Sequence, residues 1–239
     1  MTIGCHLTTE FRCIHMSARN VLVVEDDDLL RELIAAALDS NGYAVQTAGD
    51  IAEAKRILRS SDPDGVVLDI DLGRGPTGFD FAQIISKESP GTGIVFLTQL
   101  PDPRFAPTDE NGMPTGVAYL RKSALSDLNE LFAALDVAMR GQVTKLHRHD
   151  LNAERPFANL TAKQIQVLKL MAQGKSNAQI ASARGTSLKA TEDAIRRACA
   201  AIGIDGSADG NTRTRAVAKY ISVVGAQSAK VGDQVSPSS

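Results

Sequence analysis

The sequence predicts an α/β fold, a doubly wound five-stranded parallel sheet, followed by a separate all-α domain of four helices. Three observations carry this. Apolar runs rich in Val and Ile alternate with helical stripes as far as residue 140, the pattern of buried parallel strands joined by crossover helices. Four of those runs, far apart in sequence, stop at acids, a hydroxyl or a lysine. The charge balance then reverses: residues 16–140 hold 11 Lys and Arg against 20 Asp and Glu, while residues 141–239 hold 14 against 7. A chain of 239 residues exceeds the commonest domain size of roughly 100–150, so two domains are expected.

The elements follow in order. Val21–Val24 reads as the first strand, and Leu29, Leu30, Leu33, Ile34, Ala37 and Leu38 form a helical stripe that stops at Asn41 and Gly42. Next come a strand over Ala44–Thr47, a helix carrying Ala54, Ile57 and Leu58, a strand over Val66–Asp69, and a helix carrying Phe81, Ile84 and Ile85. Ile94–Thr98 and Val117–Leu120 give two more strands, and Leu128, Leu131, Phe132 and Leu135 mark the last helix of this half. Between Thr98 and Lys122 a helix is due. Pro101, Pro103, Pro107, Pro114 and the pair Asn111-Gly112 stand there instead, so the segment 99–116 is expected to be irregular.

In such a sheet ligands bind at the carboxyl ends of the strands. Glu25 and Asp26 follow the first strand and Asp69 ends the third, which crowds three carboxylates into one pocket. Their repulsion raises at least one pKa unless a cation offsets it. Oxygen-only ligands suit Mg²⁺, which also neutralises a phosphoryl group in transit. Lys122 can pair with Asp69 or with its phosphate, and Thr98 can donate to a phosphate oxygen. The plainer alternative is that these acids only cap helices, as Asp27 and Asp28 do at the start of the first.

Residues 19–140 resemble the receiver domains of two-component response regulators, which share a CheY-like, flavodoxin-like fold. The resemblance rests on the acid pair Glu25-Asp26, Asp69 after Val66-Val67-Leu68, Thr98 after the fourth strand, and Tyr119 three residues before Lys122. It implies that Asp69 is the phosphoacceptor. Asp26 and Asp69 would ligate Mg²⁺ by side chain, Asp71 would add its backbone carbonyl, and Glu25 would act through water. Gly78 matches the glycine before the third helix, and Tyr119 the aromatic switch whose ring turns inward as Thr98 moves toward the phosphoryl group. Two departures stand out: Ser123 replaces the proline common after the lysine, and the proline-rich segment replaces the helix through which many receivers signal.

Residues 141–157 are polar and period-free, with His147, His149 and Pro156, and read as a linker. Four helical patterns follow: Ile165, Leu168 and Met171; a short one around Ile180; Ile195, Ala198 and Ile202, capped by Thr186-Ser187; and Ala216, Val217, Tyr220, Ile221 and Val224. Pattern alone fits a DNA-binding helix-turn-helix and a small bundle for protein contacts equally well. The stretches Leu160–Leu168, Ala172–Ala181 and Ile202-Gly203-Ile204 resemble the LuxR-type helix-turn-helix over residues 158–225. By that resemblance residues 188–202 form the recognition helix, with Lys189 and Arg196 the leading candidates for DNA contact and Arg197, Thr191 and Ser187 the weaker ones. Glu192 and Asp193 depart from the family's pattern and would repel phosphates.

The domain limits expected are a disordered leader at 1–18, a receiver at 19–140, a linker at 141–157, the helix-turn-helix domain at 158–225 and a disordered tail at 226–239. Cys5, His6, Cys13 and His15 lack the spacing of a zinc site, and three cysteines without scaffold spacing suit a compartment where thiols stay reduced. No apolar run spans a bilayer and no signal-peptide core opens the chain, so the expectation is a cytoplasmic protein without a membrane. The two resemblances together imply a transcription regulator, not an enzyme. Its partners would be a sensor histidine kinase, double-stranded DNA and, when active, a second copy as homodimer. An acidic receiver and a basic output half also suggest that the receiver covers the recognition helix until phosphorylation. The alternative is an atypical regulator acting independently of phosphorylation, or mainly through protein partners.

Overall fold

The computed structural model describes residues 18–73, 75–106, 113–204 and 211–225. Cys5, His6, Cys13 and His15, Pro107 and Asn111-Gly112, and the terminal segments expected to be disordered lie outside these, apart from residue 18. Five strands alternate with helices: β1 (Asn20–Val24), α1 (Asp28–Ser40), β2 (Ala44–Ala48), α2 (Ile51–Ser61), β3 (Gly65–Leu68), α3 (Gly78–Glu88), β4 (Gly93–Thr98), β5 (Ala118–Arg121) and α4 (Leu128–Met139). All pairings are parallel, in the order β2-β1-β3-β4-β5. The order reverses between β1 and β3, and that switch point is where open α/β sheets form their ligand crevice.

Helices α1 to α4 each start where a side chain satisfies a free amide. Asp27 accepts from the Leu30 amide at 2.9 Å and Asp50 from that of Glu53 at 2.8 Å. Thr77 and Asp80 form a reciprocal capping box. Some acids at strand ends therefore do cap helices, as the plainer reading required, but Glu25, Asp26 and Asp69 take no part in these caps. In α1, Ile34 and Leu38 are buried and Leu30 packs against them, whereas Leu29 and Leu33, expected in the same stripe, face solvent.

Where the fourth crossover helix is due, the described residues hold only a single 3-10 turn, Pro103–Phe105, with Asp102 capping it through the Arg104 amide. Proline removes backbone donors and fixes φ, so the chain makes this short turn in place of a regular helix. The segment is nonetheless packed. Leu100 and Phe105 are about 1% exposed.

The C-terminal half holds α5 (Ala162–Ala172), α6 (Asn177–Arg184), α7 (Leu188–Ala201) and α8 (Thr212–Val224). Capping boxes open α5 at Thr161-Gln164 and α6 at Ser176-Gln179, and Ser187 caps α7. The segment expected to be a bare linker instead makes two 3-10 turns, Lys145–His147 and His149–Leu151, and runs parallel beside the β5 edge, with Arg148 bridging to Tyr119. His149 Nδ1 accepts from the Arg121 amide at 3.1 Å, and Nε2 meets Glu130 at 2.7 Å. An otherwise open strand edge is thereby covered.

The sheet divides two cores. On one face Val21, Val23, Val67, Val95 and Leu97 meet α1 and α4. On the other, Leu22, Leu68, Phe96 and the α3 residues Phe81 and Ile85 belong to a core that continues through Leu100, Phe105 and Tyr119 into Ile165, Leu168, Tyr220 and Val224 of the helical half. No helix among the described residues is long and apolar enough to cross a membrane.

Candidate functional site

The ends of β1, β3, β4 and β5 converge on a cavity of about 210 Å³ lined by Glu25, Asp26, Asp27, Asp69, Asp71, Thr98 and Lys122, with Val224 and Gly225 completing its wall from the end of α8. Lys122 Nζ lies 2.6 Å from both Glu25 Oε2 and Asp69 Oδ2. The other Asp69 oxygen accepts from the Ile70 amide at 2.6 Å and from the Asp71 amide at 3.3 Å. Glu25, Asp26 and Asp69 each offer an oxygen, all within 4.8 Å of one another, a set that could hold a metal ion.

This crowding has an electrostatic signature. Burial, with the Asp69 carboxylate beside it, raises Glu25 to about 7, although Lys122 opposes the shift. Burial and the neighbouring Asp69 and Asp71 also raise Asp26. For Lys122 burial acts downward, but the Asp69 and Glu25 carboxylates outweigh it and the ammonium is held charged. Among the described lining residues Lys122 is the one cation against Glu25, Asp26, Asp27, Asp69 and Asp71, so the pocket retains an excess of negative charge that a hard divalent cation would relieve.

Backbone geometry supports the pocket. A Cβ on Gly78 would stand 2.1 Å from the Asp69 carbonyl oxygen, so only glycine lets the start of α3 approach, where its amide donates to Ile70 O at 2.9 Å. Thr98 is fully buried, and its Oγ1 accepts from the Leu100 amide at 3.3 Å. Tyr119 is also fully buried, its hydroxyl donating to the Leu100 carbonyl at 3.1 Å. Burial holds that phenol protonated. The ring is therefore already turned inward.

On α7 the side chains of Lys189, Glu192, Arg196 and Arg197 are exposed, and the receiver does not cover this surface as the charge asymmetry suggested. Asp193 binds Arg196 at 2.7 Å and so offsets the helix's own cation. Thr191 corrects the sequence reading: it is fully buried, its hydroxyl 3.0 Å from that of Thr186, and it offers no surface to a duplex. Ser187 stays exposed, with its hydroxyl occupied by the Ala190 amide at 3.2 Å. Sequence reasoning missed Val224 and Gly225 at the pocket, because nothing in a helix-end dipeptide signals a distant neighbour.

Comparison with known proteins gives the same two parts. Residues 21–108 match the response regulator receiver domain, and residues 158–190 match the bacterial regulatory proteins of the luxR family. The chain is 26% identical over 171 residues to the transcriptional regulatory protein LiaR of Bacillus subtilis, covering 67% of this chain and 79% of that protein. It is 29% identical over 191 residues to the nitrate/nitrite response regulator protein NarP of Escherichia coli, covering 74% and 85%. Identity reaches 35% over 130 residues with the transcriptional regulatory protein TcrA of Mycobacterium tuberculosis, of which the match spans 49% and which it meets over 54% of this chain. The fold alone is shared with a structure of two RcsB dimers bound to two parallel DNAs, at 20% identity and a TM-score of 0.52, over 87% of this chain and 99% of that one. A receiver-type pocket at the sheet's switch point and a luxR-type helical half behind it join a response regulator receiver domain to a LuxR-type output domain, the arrangement of a two-component response regulator controlling transcription.

Proposed function

We propose that Asp69 accepts a phosphoryl group from a sensor histidine kinase and that the modified receiver changes how α7 engages double-stranded DNA as a homodimer. The observation that carries this reading is the Lys122 ammonium, 2.6 Å from both Glu25 and Asp69 in the acidic cavity. In the transfer, an Asp69 carboxylate oxygen attacks phosphorus and the bond to the donor imidazole nitrogen breaks, its electron pair staying on the imidazole. Asp26 and Asp69 side chains, the Asp71 carbonyl and Glu25 through water would hold Mg²⁺. That ion supplies charge neutralisation at the transferring oxygens. Lys122 then pairs with a phosphoryl oxygen, and Thr98 turns its hydroxyl from Leu100 toward the pocket, while Tyr119 keeps the vacated space filled. The phosphorylated chain, not turnover of a separate substrate, is the product, so this regulator is not an enzyme in the ordinary sense.

The working division is a receiver over 19–140, a connecting segment over 141–157 and a DNA-binding domain over 158–225, in a cytoplasmic protein. Lys189 and Arg196 are the principal DNA contacts and Arg197 and Ser187 the lesser ones, phosphate contacts giving affinity and base contacts specificity. Fluorescence anisotropy against genomic fragments tests this. Phosphodonor treatment should tighten or weaken salt-sensitive binding in the native chain and leave Asp69→Asn unchanged. Equal binding by both, treated and untreated, would remove phosphorylation from the account. A second reading, regulation chiefly through protein partners, draws on the exposed Glu192 and on Asp193, which ties up Arg196. Absence of saturable binding to any fragment would favour it.

A further inference from the structure

The described part of the connection from β4 to β5 does more than replace a helical turn. Its 3-10 turn places Phe105 against the helical half, with ring centroids 6.0 Å from Phe157 and 6.1 Å from Tyr220, and those two rings lie 6.4 Å apart. A polar cluster adjoins the stack. Asp102, 2% exposed, binds Arg104 at 2.6 Å and Arg155 at 2.9 Å. Arg104 in turn donates to the Leu160 and Phe157 carbonyls. These contacts join residues 100–106 of the receiver to the entry of α5 and the middle of α8.

Two details mark this junction as conditional. Phe157 has φ +59°, a left-handed conformation that a bulky residue holds only when packing enforces it. Among the described residues the buried Tyr220 hydroxyl has no hydrogen-bond partner, a cost that ends once the domains part and water reaches it. The junction is also near the pocket. Leu100, whose amide meets Thr98 and whose carbonyl meets Tyr119, begins the same segment. One turn beyond Tyr220, the end of α8 places Val224 and Gly225 in the wall of the acidic cavity.

We infer that residues 100–106 are an intramolecular latch that docks the output domain on the receiver through Phe105 and the Asp102–Arg104–Arg155 cluster, so that the docked α8 restricts access to Asp69 and phosphorylation releases it. This rests on the acceptor role proposed for Asp69. The end of α8 carries free carbonyl groups and the negative end of the helix dipole. A phosphoryl group added beside it is repelled. Movement of Thr98 toward that group also withdraws the acceptor of the Leu100 amide at the base of the latch. The sign of the linkage is fixed: whatever weakens the latch favours phosphorylation, and phosphorylation weakens the latch by the same factor.

Full-length native protein, Arg104→Ala and Tyr220→Phe decide the matter through small-angle scattering and the rate of phosphorylation by acetyl phosphate with Mg²⁺. Arg104→Ala removes the donors to Leu160 and Phe157. Its radius of gyration should increase, and its rate should rise on the order of fivefold, the scale of one lost hydrogen bond. Tyr220→Phe keeps the ring and deletes the orphan hydroxyl, so it should remain compact and be phosphorylated more slowly than the native chain. Opposite rate changes in two variants cannot come from simple misfolding. Unchanged scattering for Arg104→Ala overturns the latch, and expansion with indistinguishable rates overturns its control of the pocket. If no variant accepts phosphate, the acceptor role of Asp69 and control of its access fail together, while scattering still decides whether the latch exists.

Discussion

Glu25 and Asp69 share one ammonium, and that economy of charge determines the chemistry of the pocket. A buried acid raised to about 7 beside a second carboxylate is poorly satisfied without a further cation. Gly78 shows how narrowly the backbone tolerates this arrangement. Gly78→Ala should cost about 1–3 kcal/mol in urea unfolding, because the new methyl meets the Asp69 carbonyl and not a side chain that could swing away. A variant as stable as the native protein would show that α3 can move off the loop freely. Thr191→Val makes a contrasting case on α7: it should destabilise by about 1 kcal/mol through the lost hydrogen bond to Thr186, with no change in the salt dependence of DNA binding. Lys189→Ala should do the reverse, flattening the slope of log K against log salt by about 1 at unchanged stability. At this scale the acids, Thr98 and Lys122 were legible because their types follow apolar runs that can only be strands. The burial of Thr191 was legible too, because helical spacing puts it on the inward stripe of Ile195 and Ala198, although the family resemblance pointed it toward DNA.

The elements were legible to the extent that their periods are local. Strand runs, cap residues and the glycines after α5, α6 and α7 locate α1 to α7, the apolar stripe from Ala216 to Val224 locates α8, and the prolines match the 3-10 turn described after β4. Partners of that irregular segment were invisible, because Phe105, Phe157 and Tyr220 lie in three stretches whose sequences carry no mutual signal. Leu29 and Leu33 fit the same helical stripe as Ile34 but occupy its outer margin, which the sequence alone does not separate from the buried side. The connecting segment looked period-free because it is held by Arg148 and His149 at the β5 edge and not by an apolar stripe. Asp102 gives this region a pH dependence. Burial pushes its carboxyl up, but hydrogen bonds from Arg104 and Arg155 dominate and hold it below its ordinary 3.8. A depressed folded-state pKa contributes stability that is complete above the ordinary value and is lost as the pH falls through the lower, folded one. Unfolding free energies of the native chain and Asp102→Asn should therefore converge as the pH drops below 3.8. A difference that stays constant across that range would show that the charge of Asp102 contributes nothing.

Over the whole molecule, two halves of opposite charge meet through an apolar junction. The charge imbalance read from the sequence suggested that the receiver would cover the recognition helix, yet α7 keeps Lys189, Arg196 and Arg197 in solvent. A hydrophobic contact behind α7, not screening of its exposed basic side, joins the halves in this structure. Phosphorylation would therefore act on the position of the output domain relative to the receiver, leaving the reading surface itself intact. All of this presupposes that the acidic cavity receives a phosphoryl group at one defined carboxylate. Intact mass after incubation with acetyl phosphate and Mg²⁺, with borohydride trapping to locate the modified residue, examines that point directly. A single phosphoryl group on Asp69 is expected, lost in Asp69→Asn and upon chelation of the metal. An unmodified native chain, or modification at another residue, would contradict it.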